Sequence, residues 1–398
     1  MNVSKHTVFY ISAILLGILA GLSGNSVLEQ TGHVISEMFI RMFKCISMPI
    51  IALSVIVALS SYESENKSMS LMWKRTLLYT LSTTIIATVV AAIIYYIVSP
   101  NNISVISPQV QPIEITKDVN YIKYFLEIVP DSIFSAFLEQ KVLSLLLISV
   151  IFGIAIRFIK EVESKNSVIS FFKGIHSIFF TITKFIVSIL PIGLFGFITV
   201  SAFELRHGMD LKGMGGYLMV IILSNILHGI IILPILLVLK RQKPIKNFKA
   251  MLPAISVAFF SKSSTSILPV TMETAEEQLG ITQKTSRFVL PLCTTINVNG
   301  CAIFVFTTVI YIMQNNGIEI SMTTLMSWIL ISTIAATGNA GVPMGCFFLS
   351  ASLLSSMNIP MSLMGLILPF YGIIDMFEAS LNVWSDSCIA SIVDKEVG

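Results

Sequence analysis

The sequence predicts an all-α integral membrane protein, and three observations support this. Hydrophobic residues make up 55% of the 398 residues, and charged residues only 12%. The mean hydropathy is +0.86, which is more apolar than a soluble domain of this length could bury. Apolar runs long enough to cross about 30 Å of hydrocarbon recur along the chain. They lack the alternation of barrel strands, so we expect helices.

The apolar runs before residue 240 each predict one membrane span. The first, residues 7–24, is long and lacks a small-residue cleavage site, so we expect a retained span rather than a signal peptide. The others cover residues 47–61, 76–98, 142–159 and 219–239.

Basic residues predict the orientation of these spans. Segment 240–249 holds five Lys and Arg residues and no acid, and segments 62–75 and 157–165 also hold basic clusters. The positive-inside rule places them in the cytoplasm together with the N-terminus, and leaves the loop 99–123 and the turn near residue 204 outside. The net charge of +3 therefore needs no nucleic-acid partner.

The sequence contains no recognisable enzyme or metal motif. The five cysteines form no CxxC pair, which argues against a disulfide framework or a zinc site. No HExxH or phosphate-binding loop occurs either. We expect no cofactor and no transition-metal site, and we interpret His228, inside an apolar helix, as a hydrogen-bonded packing residue.

Two segments after residue 249 are too short to span and are predicted to be re-entrant helical hairpins. The apolar run 250–260 reaches only about halfway through the bilayer, at ~1.5 Å per residue, before it meets SKSSTS. The run 325–335 meets the glycine-rich ATGNAGVPMG before CFFLSASLLSS returns. Non-helical backbone at membrane depth must be buried in protein or line a wet cavity. We therefore expect the two polar tips to meet near the midplane.

The span between the hairpins is interrupted by Asn297, Asn299 and Gly300. A lone NxNG is more often a glycine kink whose amides are satisfied across helix contacts. Between two hairpins it favours an inverted-repeat transporter, whose ligands bind where broken helices meet. The two halves are predicted at 250–313 and 322–392.

Three carboxylates lie in the last apolar segment, GIIDMFEASLNVWSDSC. At about 100° per residue, Asp375, Asn382 and Asp386 fall within ~20° of one line along a helix, and Glu378 lies ~60° to one side. A charge at the centre of a membrane helix costs roughly 2.5–3.5 kcal/mol, so this stripe must face protein, water or cations. The apolar spans offer few basic partners, chiefly Lys262, which leaves room for external cations.

Two other function classes compete with a transporter. A membrane-embedded hydrolase would use Asp375 and Asp386 as a catalytic pair, but these lie ~16 Å apart along one helix, too far to share a proton or activate one water. We therefore expect no enzyme activity. A passive channel is the second alternative, and hairpins that close the pathway argue against it as the main role.

Taken in order, these motifs resemble the dicarboxylate/amino acid:cation symporter family, the glutamate-transporter homologues. RMFKCISMPIIALSVIVALSS resembles the family's second span, and SKSSTSILPVT its serine-rich first hairpin. NVNGC resembles the NMDGT signature of the seventh span, GNAGVP the second hairpin tip and DMFEASLNVWSD the eighth-span motif. The resemblance covers essentially the whole chain.

The resemblance implies eight transmembrane helices, two re-entrant hairpins, inverted repeats, a homotrimer and an elevator-type mechanism. Residues 1–249 would hold the first six transmembrane helices, of which 1, 2, 4 and 5 form the scaffold and the trimer contacts, while 3 and 6 join the transport domain. Residues 250–398 would form the transport core of hairpin 1, helix 7, hairpin 2 and helix 8.

The resemblance also implies roles for single residues in the substrate and first sodium sites. Asp375 is expected to hold the substrate's amino group, and Asn382 to be shared between substrate and cation. Asp386 is expected to bind sodium with help from Asn297. Two hairpin serines and a backbone N–H at the tip are expected around the substrate carboxylate. These serines are Ser263 and Ser264.

A second sodium site and a gate are implied at the second hairpin. Backbone carbonyls around Thr295 and at the hairpin are expected to hold the ion; the hairpin residues are Ala336, Thr337, Gly338 and Asn339. The gate residues are Gly338, Gly341, Val342 and Pro343, of which Val342 also contacts the substrate.

The departures from the family bear on the substrate. Members that carry acidic substrates have an arginine where Glu378 stands and threonines where Ala379 and Cys301 stand. A glutamate repels the second carboxylate that an arginine would clamp, so we expect an amino acid with a neutral or cationic side chain. In the alternatives, Glu378 pairs with Lys262 or carries a proton, and an acidic amino acid or dicarboxylate is bound.

Asn299 stands where the family has an aspartate that helps to bind sodium. The neutral amide weakens that site, so the ion can be lost or its place taken by the substrate's positive charge. Sodium is the expected coupling ion, with protons as the alternative. Tyr79, Ser82 and Thr83 of the third span are expected near this site. The short loops suggest a multi-pass carrier of a bacterial inner membrane, with the lipid bilayer, an amino acid and sodium ions as partners.

Overall fold

The protein is all-helical wherever its computed structural model describes it, which is at residues 3–60, 67–103, 129–139, 141–206, 212–339 and 344–397. Most of the predicted external loop, part of the turn after residue 204 and the predicted gate residues Gly341, Val342 and Pro343 lie outside the described residues. The helices are α1 Val3–Leu22, α2 Ser26–Ser60, α3 Lys67–Val98, α4 Ile133–Leu138, α5 Val142–Arg157, α6 Val162–Ser188, α7 Leu190–Arg206, α8 Lys212–Leu227, α9 Leu233–Leu239, α10 Pro244–Ser261, α11 Leu268–Thr274, α12 Gln283–Ile296, α13 Asn299–Asn315, α14 Met322–Ala336, α15 Gly345–Ser356 and α16 Ser362–Val397.

Four helical stretches in the described part of the chain are long and apolar enough to cross a membrane, by length and composition. Shorter apolar helical stretches lie within α1, α2, α5, α7, α14 and α15. This agrees with the predicted all-α membrane protein. The four long stretches are Ser70–Val98, Gly213–Leu239, Gln283–Asn315 and Ser362–Val397.

At each predicted hairpin the structure has a pair of helices, α10 with α11 and α14 with α15. The first arm begins at Pro244 rather than at residue 250, because proline fixes the backbone angle that the first turn of a helix needs. Asn247, in this added turn, donates a 3.0 Å hydrogen bond to Ser391 Oγ of α16. The basic segment 240–249 is therefore partly helical instead of being a connection only.

Helices α1, α2 and α4–α7 form a first group, which packs closely at glycines. A Cβ added to Gly21 of α1 would lie 2.7 Å from Ala202 Cβ of α7, and one added to Gly32 of α2 would lie 2.7 Å from Thr199 Cβ. Such approaches are common in membrane helices, since small residues allow backbones to pack together.

Helices α3 and α8–α16 form a second group, which is joined by polar contacts. Hydrogen bonds link α3 to the later helices along most of its length: Tyr79 to Glu396, Thr83 to Asn297, Thr84 to Asn299, Thr88 to Thr333 and Tyr95 to Gln314. Helix α8 is linked in the same way by Tyr217 to Thr308, at 2.8 Å. Sequence-distant helices are therefore held in one unit.

The basic end of α9 adds an ionic contact to this second group. Lys240 Nζ lies 3.0 Å from Glu396 Oε1 of α16 and 4.8 Å from the ring centroid of Tyr79. Hydrogen bonding to Tyr79 and Glu396 raises the pKa of Lys240, so this lysine stays charged at neutral pH.

Contacts between the two groups include apolar approaches at two glycines of the second group. A Cβ on Gly365 of α16 would lie 2.7 Å from Phe197 Cδ1 of α7, and Gly338 approaches Ile51 of α2 and Leu146 of α5. A cavity of about 510 Å³ also lies between the groups, lined largely by leucine, isoleucine and valine side chains.

We predict that Gly21→Ala destabilises the protein by about 1–3 kcal/mol, because its methyl group has no space against α7. Thermal unfolding in detergent measures the effect. Gly174→Ala is the matched control, since nothing lies within 4 Å of a Cβ there and alanine is the better helix former. Equal melting temperatures for the two variants would contradict the close packing of α1 on α7.

Candidate functional site

The site is built around a break between α12 and α13. Asn297 and Val298 leave helical geometry, with φ/ψ of −97°/74° and −112°/58°. Asparagine side chains favour such a break because they compete with the backbone for hydrogen bonds. Here the Asn297 amide bonds to other helices, and the freed N–H of Gly300 donates to Asn382 Oδ1 of α16 at 2.9 Å. The interruption is thus where the sequence predicted it.

Gly300 brings α13 into direct contact with the backbone of α16. A Cβ at this position would lie 2.6 Å from Glu378 Cα and 2.9 Å from Glu378 Cβ. No other residue fits without moving one of the helices, which explains why glycine occupies this position.

Asp386 is the residue of the predicted stripe nearest the C-terminus, and its hydrogen-bond partners are neutral side chains. It is 1% exposed. Its Oδ1 accepts a 2.8 Å hydrogen bond from Asn297 Nδ2, and its Oδ2 lies 3.5 Å from Thr294 Oγ1. Amide and hydroxyl partners satisfy part of the carboxylate and leave its charge uncompensated, which is the condition for attracting a cation.

We call the residues around Asp386 the deep network: Thr83, Thr84, Asn297, Asn299, Ser385 and Asp386. Ser385 Oγ is its centre, because it accepts hydrogen bonds from both Asn297 Nδ2, at 2.9 Å, and Asn299 Nδ2, at 2.7 Å. Thr83 and Thr84 donate to the oxygens of the same two amides, at 3.1 and 2.9 Å. All six side chains are buried.

Two residues predicted near the cation site lie elsewhere. Tyr79 donates a 2.7 Å hydrogen bond to Glu396. Ser82 is exposed, and its hydroxyl donates to the Leu78 carbonyl of its own helix. Thr83 and the neighbouring Thr84 hydrogen-bond to Asn297 and Asn299, because the buried face of α3 follows the helical period and residue 82 falls on the opposite side.

His228 lies against the deep network at the start of a π-helical turn, His228–Ile232, between α8 and α9. Its Nε2 lies 3.3 Å from Asn299 Nδ2, and its Nδ1 is buried without a partner. As predicted, His228 is buried within reach of a hydrogen-bond partner, which is Asn299. Helical π turns are frequent at functional sites.

A second cluster of buried groups lies on the other side of Gly300. Glu378 is 2% exposed, and its Oε1 has no hydrogen-bond partner. The thiol of Cys346, near the start of α15, contacts the carboxylate. Asn339 Nδ2 bridges the sulfurs of Cys301 and Cys346, at 3.3 and 3.1 Å. We call Cys301, Asn339, Cys346 and Glu378 the thiol cluster; Ala379, buried beside it on α16, adds no polar group.

The first hairpin tip approaches α16 near Asp375. Lys262 ends α10 in the left-handed conformation, with φ of 57°. Its Nζ lies next to Gly372, at 3.3 Å from where a Cβ on that glycine would be. Gly372 is one turn before Asp375, and the positive charge of Lys262 attracts the carboxylate of Asp375. Ser263 accepts from the Ser266 N–H in a tight turn, and the neighbouring Ser264 is half-buried.

The predicted site at the second hairpin is described only in part. The hydroxyls of Thr295 and Thr337 donate to carbonyls of their own helices, Leu292 and Ile334. These side chains are therefore engaged, and backbone carbonyls are the groups left for a cation. Ala336 and Gly338 end this helix at the interface with the first group.

A family model, the Sodium:dicarboxylate symporter family, matches residues 7–396. The chain belongs to this family. Its members are symporters, so the hydrolase alternative is not supported.

Relatives within the family include transporters for different amino acids. The chain is 24% identical to mouse Excitatory amino acid transporter 3 over 447 aligned positions, covering 97% of this chain and 84% of the relative. It is 27% identical to rat Neutral amino acid transporter B(0) over 262 positions, covering 65% and 47%. It is 28% identical to human Neutral amino acid transporter A over 256 positions, covering 64% and 48%. The chain thus spans about half the length of several curated relatives.

Three residues of this site were not predicted from the sequence: Thr84, Ser385 and Cys346. Ser385 directly precedes Asp386 in the motif WSDS, so its position next to a carboxylate was the available signal. Cys346 begins the predicted returning arm of the second hairpin, but its contact with Glu378 joins two helices and has no local signal in the sequence.

We predict that Ser385→Ala costs about 1–3 kcal/mol of stability, because two buried amide groups lose an acceptor. Thermal unfolding in detergent measures this. Ser387→Ala is the control, since Ser387 is equally buried on the same helix but donates only to the Val383 carbonyl. A Ser385 variant as stable as the Ser387 variant would show that the deep network does not stabilise the fold.

Proposed function

We propose that this chain is a secondary active symporter that couples inward sodium movement to the uptake of an amino acid with a neutral or cationic side chain. The observation that carries this proposal is the carboxylate of Glu378, which is buried and has one oxygen without a hydrogen-bond partner, beside the substrate-binding position that the family resemblance implies. A buried unpaired carboxylate is costly. A donor or a positive charge on the substrate would relieve this cost.

The position of Lys262 favours this assignment over a salt bridge to Glu378. Lys262 lies beside Gly372, nearly two turns before Glu378 and one turn before Asp375. It can therefore bind the substrate's carboxylate while Asp375 holds the amino group, which leaves Glu378 to meet the side chain. The side-chain oxygen of Asn382 accepts a hydrogen bond from the Gly300 N–H, and its amide nitrogen can still donate to the substrate.

Sodium is proposed at two places. Asp386 supplies the carboxylate of one site, with Asn297 beside it. Carbonyls around Thr295 and residues 336–339 supply the other. Oxygen ligands without a transition-metal donor set suit an alkali cation, and sodium is the cation in the family's name.

An elevator movement is proposed for transport, with the second group as the moving domain and the first as the scaffold. The interhelical side-chain hydrogen bonds described above stay within one group, whereas the contacts described between the groups are apolar. Apolar surfaces can slide without breaking hydrogen bonds. We place α3, α8 and α9 with residues 250–398 in the moving domain. The whole chain would then have eight membrane spans and two hairpins. We also propose that three copies of the chain associate through the first group. Light scattering of the detergent-solubilised protein would give a threefold mass.

The location is proposed from the charge pattern: a multi-pass protein of a bacterial inner membrane with its N-terminus in the cytoplasm. Labelling of a cysteine introduced near the N-terminus, from each side of the membrane, tests the orientation.

We predict that amino acids with a cationic or polar neutral side chain raise the melting temperature of the purified protein in sodium buffer but not in choline buffer, because a ligand of the native state stabilises it. Glu378→Gln should abolish the stabilisation by cationic amino acids, since it removes the negative charge. Glu277→Gln, an exposed glutamate outside the site, is the control.

Stabilisation by aspartate or a dicarboxylate instead would overturn the substrate assignment and indicate a protonated Glu378. Uptake that equilibrates without accumulating against a gradient would indicate a passive channel.

We predict that a disulfide between Phe197→Cys and Gly365→Cys, which joins the two groups, stops uptake but leaves sodium-dependent ligand binding intact. The control pair, Thr88→Cys and Thr333→Cys, lies within the second group, where the two hydroxyls are 3.1 Å apart. Its cross-link should leave uptake unchanged. Both pairs are tested with the exposed Cys45 replaced by serine, and uptake that survives the first cross-link would rule out the elevator movement.

A further inference from the structure

Asn299 occupies the point where α3, α8, α13 and α16 meet, and its amide is fully used by the protein. The side chain is 0% exposed. Oδ1 accepts from Thr84 Oγ1 at 2.9 Å, and Nδ2 donates to Ser385 Oγ at 2.7 Å. Nδ2 also lies 3.3 Å from His228 Nε2. Protein groups thus surround both ends of the amide.

This conclusion does not depend on the orientation of the amide. Turning it by about 180° exchanges oxygen and nitrogen, and the hydroxyls of Thr84 and Ser385 can each donate or accept. His228 can likewise present either a bare nitrogen or an N–H to Asn299. Every polar atom of Asn299 keeps a protein partner in both orientations.

The charge of the deep network sets how many cations it can hold. Its amides and hydroxyls are neutral, and Asp386 carries its only carboxylate. His228 is fully buried, and burial favours the uncharged ring in either orientation of the amide. In a medium of low dielectric constant a buried cation needs a compensating charge or several oxygen ligands that are not already engaged, and the oxygens of Thr84, Asn299 and Ser385 are hydrogen-bonded to one another. One carboxylate therefore compensates one monovalent cation.

We propose that Asn299 is a neutral position filled by Thr84, Ser385 and His228, and that the deep network binds a single monovalent cation, at Asp386. This inference rests on the proposed sodium symport and names its coupling: one sodium ion here and one at the second hairpin. His228 acts as a positioning residue, which contacts the amide of Asn299 at the end opposite Thr84 and closes that end to a cation.

The decisive variant is Asn299→Asp, which adds a second carboxylate to the network and should create a second cation site there. Sodium is titrated into the purified full-length protein without substrate, and tryptophan fluorescence is recorded. Trp384 directly precedes Ser385, and its Nε1 donates to the Gly229 carbonyl next to His228, so it reports on this region. The steepness of the titration, expressed as a Hill coefficient, should be higher than that of the wild type by about one, which corresponds to one additional sodium ion.

Asn299→Ser is the matched control, because it disturbs the same hydrogen bonds without adding charge; its titration should keep the wild-type steepness. A folded Asn299→Asp protein with unchanged steepness would overturn the proposal, and so would a serine variant that loses an ion. His228→Gln, which can still offer a polar group to Asn299, should also keep the wild-type steepness.

A measurement on the wild type decides the matter if the aspartate variant does not fold. The ratio of ²²Na⁺ to amino acid taken up by liposomes should be about two, and a ratio of about three would contradict the inference. Absence of any sodium-dependent uptake would overturn the proposed symport itself, and the fluorescence titration, which uses no substrate, would still test the deep network.

Discussion

A carboxylate buried in a membrane helix must be offset by neighbouring groups, and this requirement organises the helices around α16. Asp386 obtains an amide from Asn297 only because α12 and α13 are interrupted there. The amide of Asn297 is in turn held by Ser385 of α16 and Thr83 of α3. The break, the third helix and the last helix are thus mutually dependent, although more than 200 residues separate α3 from α13 in sequence.

The same requirement explains the different character of the two groups of helices. In the second group, several buried polar side chains hydrogen-bond across helices, as Tyr217 does with Thr308 and Thr88 with Thr333. The contacts described between this group and the first group are apolar, for example that of Gly365 with the ring of Phe197. A unit held together by hydrogen bonds between its own helices can keep its shape while its surroundings change.

The sequence was sufficient to predict the elements whose signals are local. The hairpins, the interruption at Asn297 and the burial of α16 all follow from composition and spacing, and the family assignment follows from motifs in order. The errors concern contacts between helices. Tyr79 and Ser82 were expected near Asn299, but each step along a helix turns the side chain by about 100°, so Ser82 is exposed whereas Thr83 and Thr84 are buried. The early start of α10 was missed because its first turn is basic and polar, so hydropathy alone could not distinguish it from a loop.

The contact of Gly300 with Glu378 also bears on how selectivity can change during evolution. The backbone at residue 378 is fixed by the helix that presses on it, whereas the end of its side chain has an oxygen that touches no protein donor. One part of the residue holds two helices together, and the other part is free to vary in chemical type. Position 378 can therefore exchange one functional group for another without repacking the domain, while position 300 tolerates almost no change. Under the proposed role of Glu378, a change at this one codon, opposite a glycine that packing holds in place, is a short route by which this scaffold could acquire new substrates.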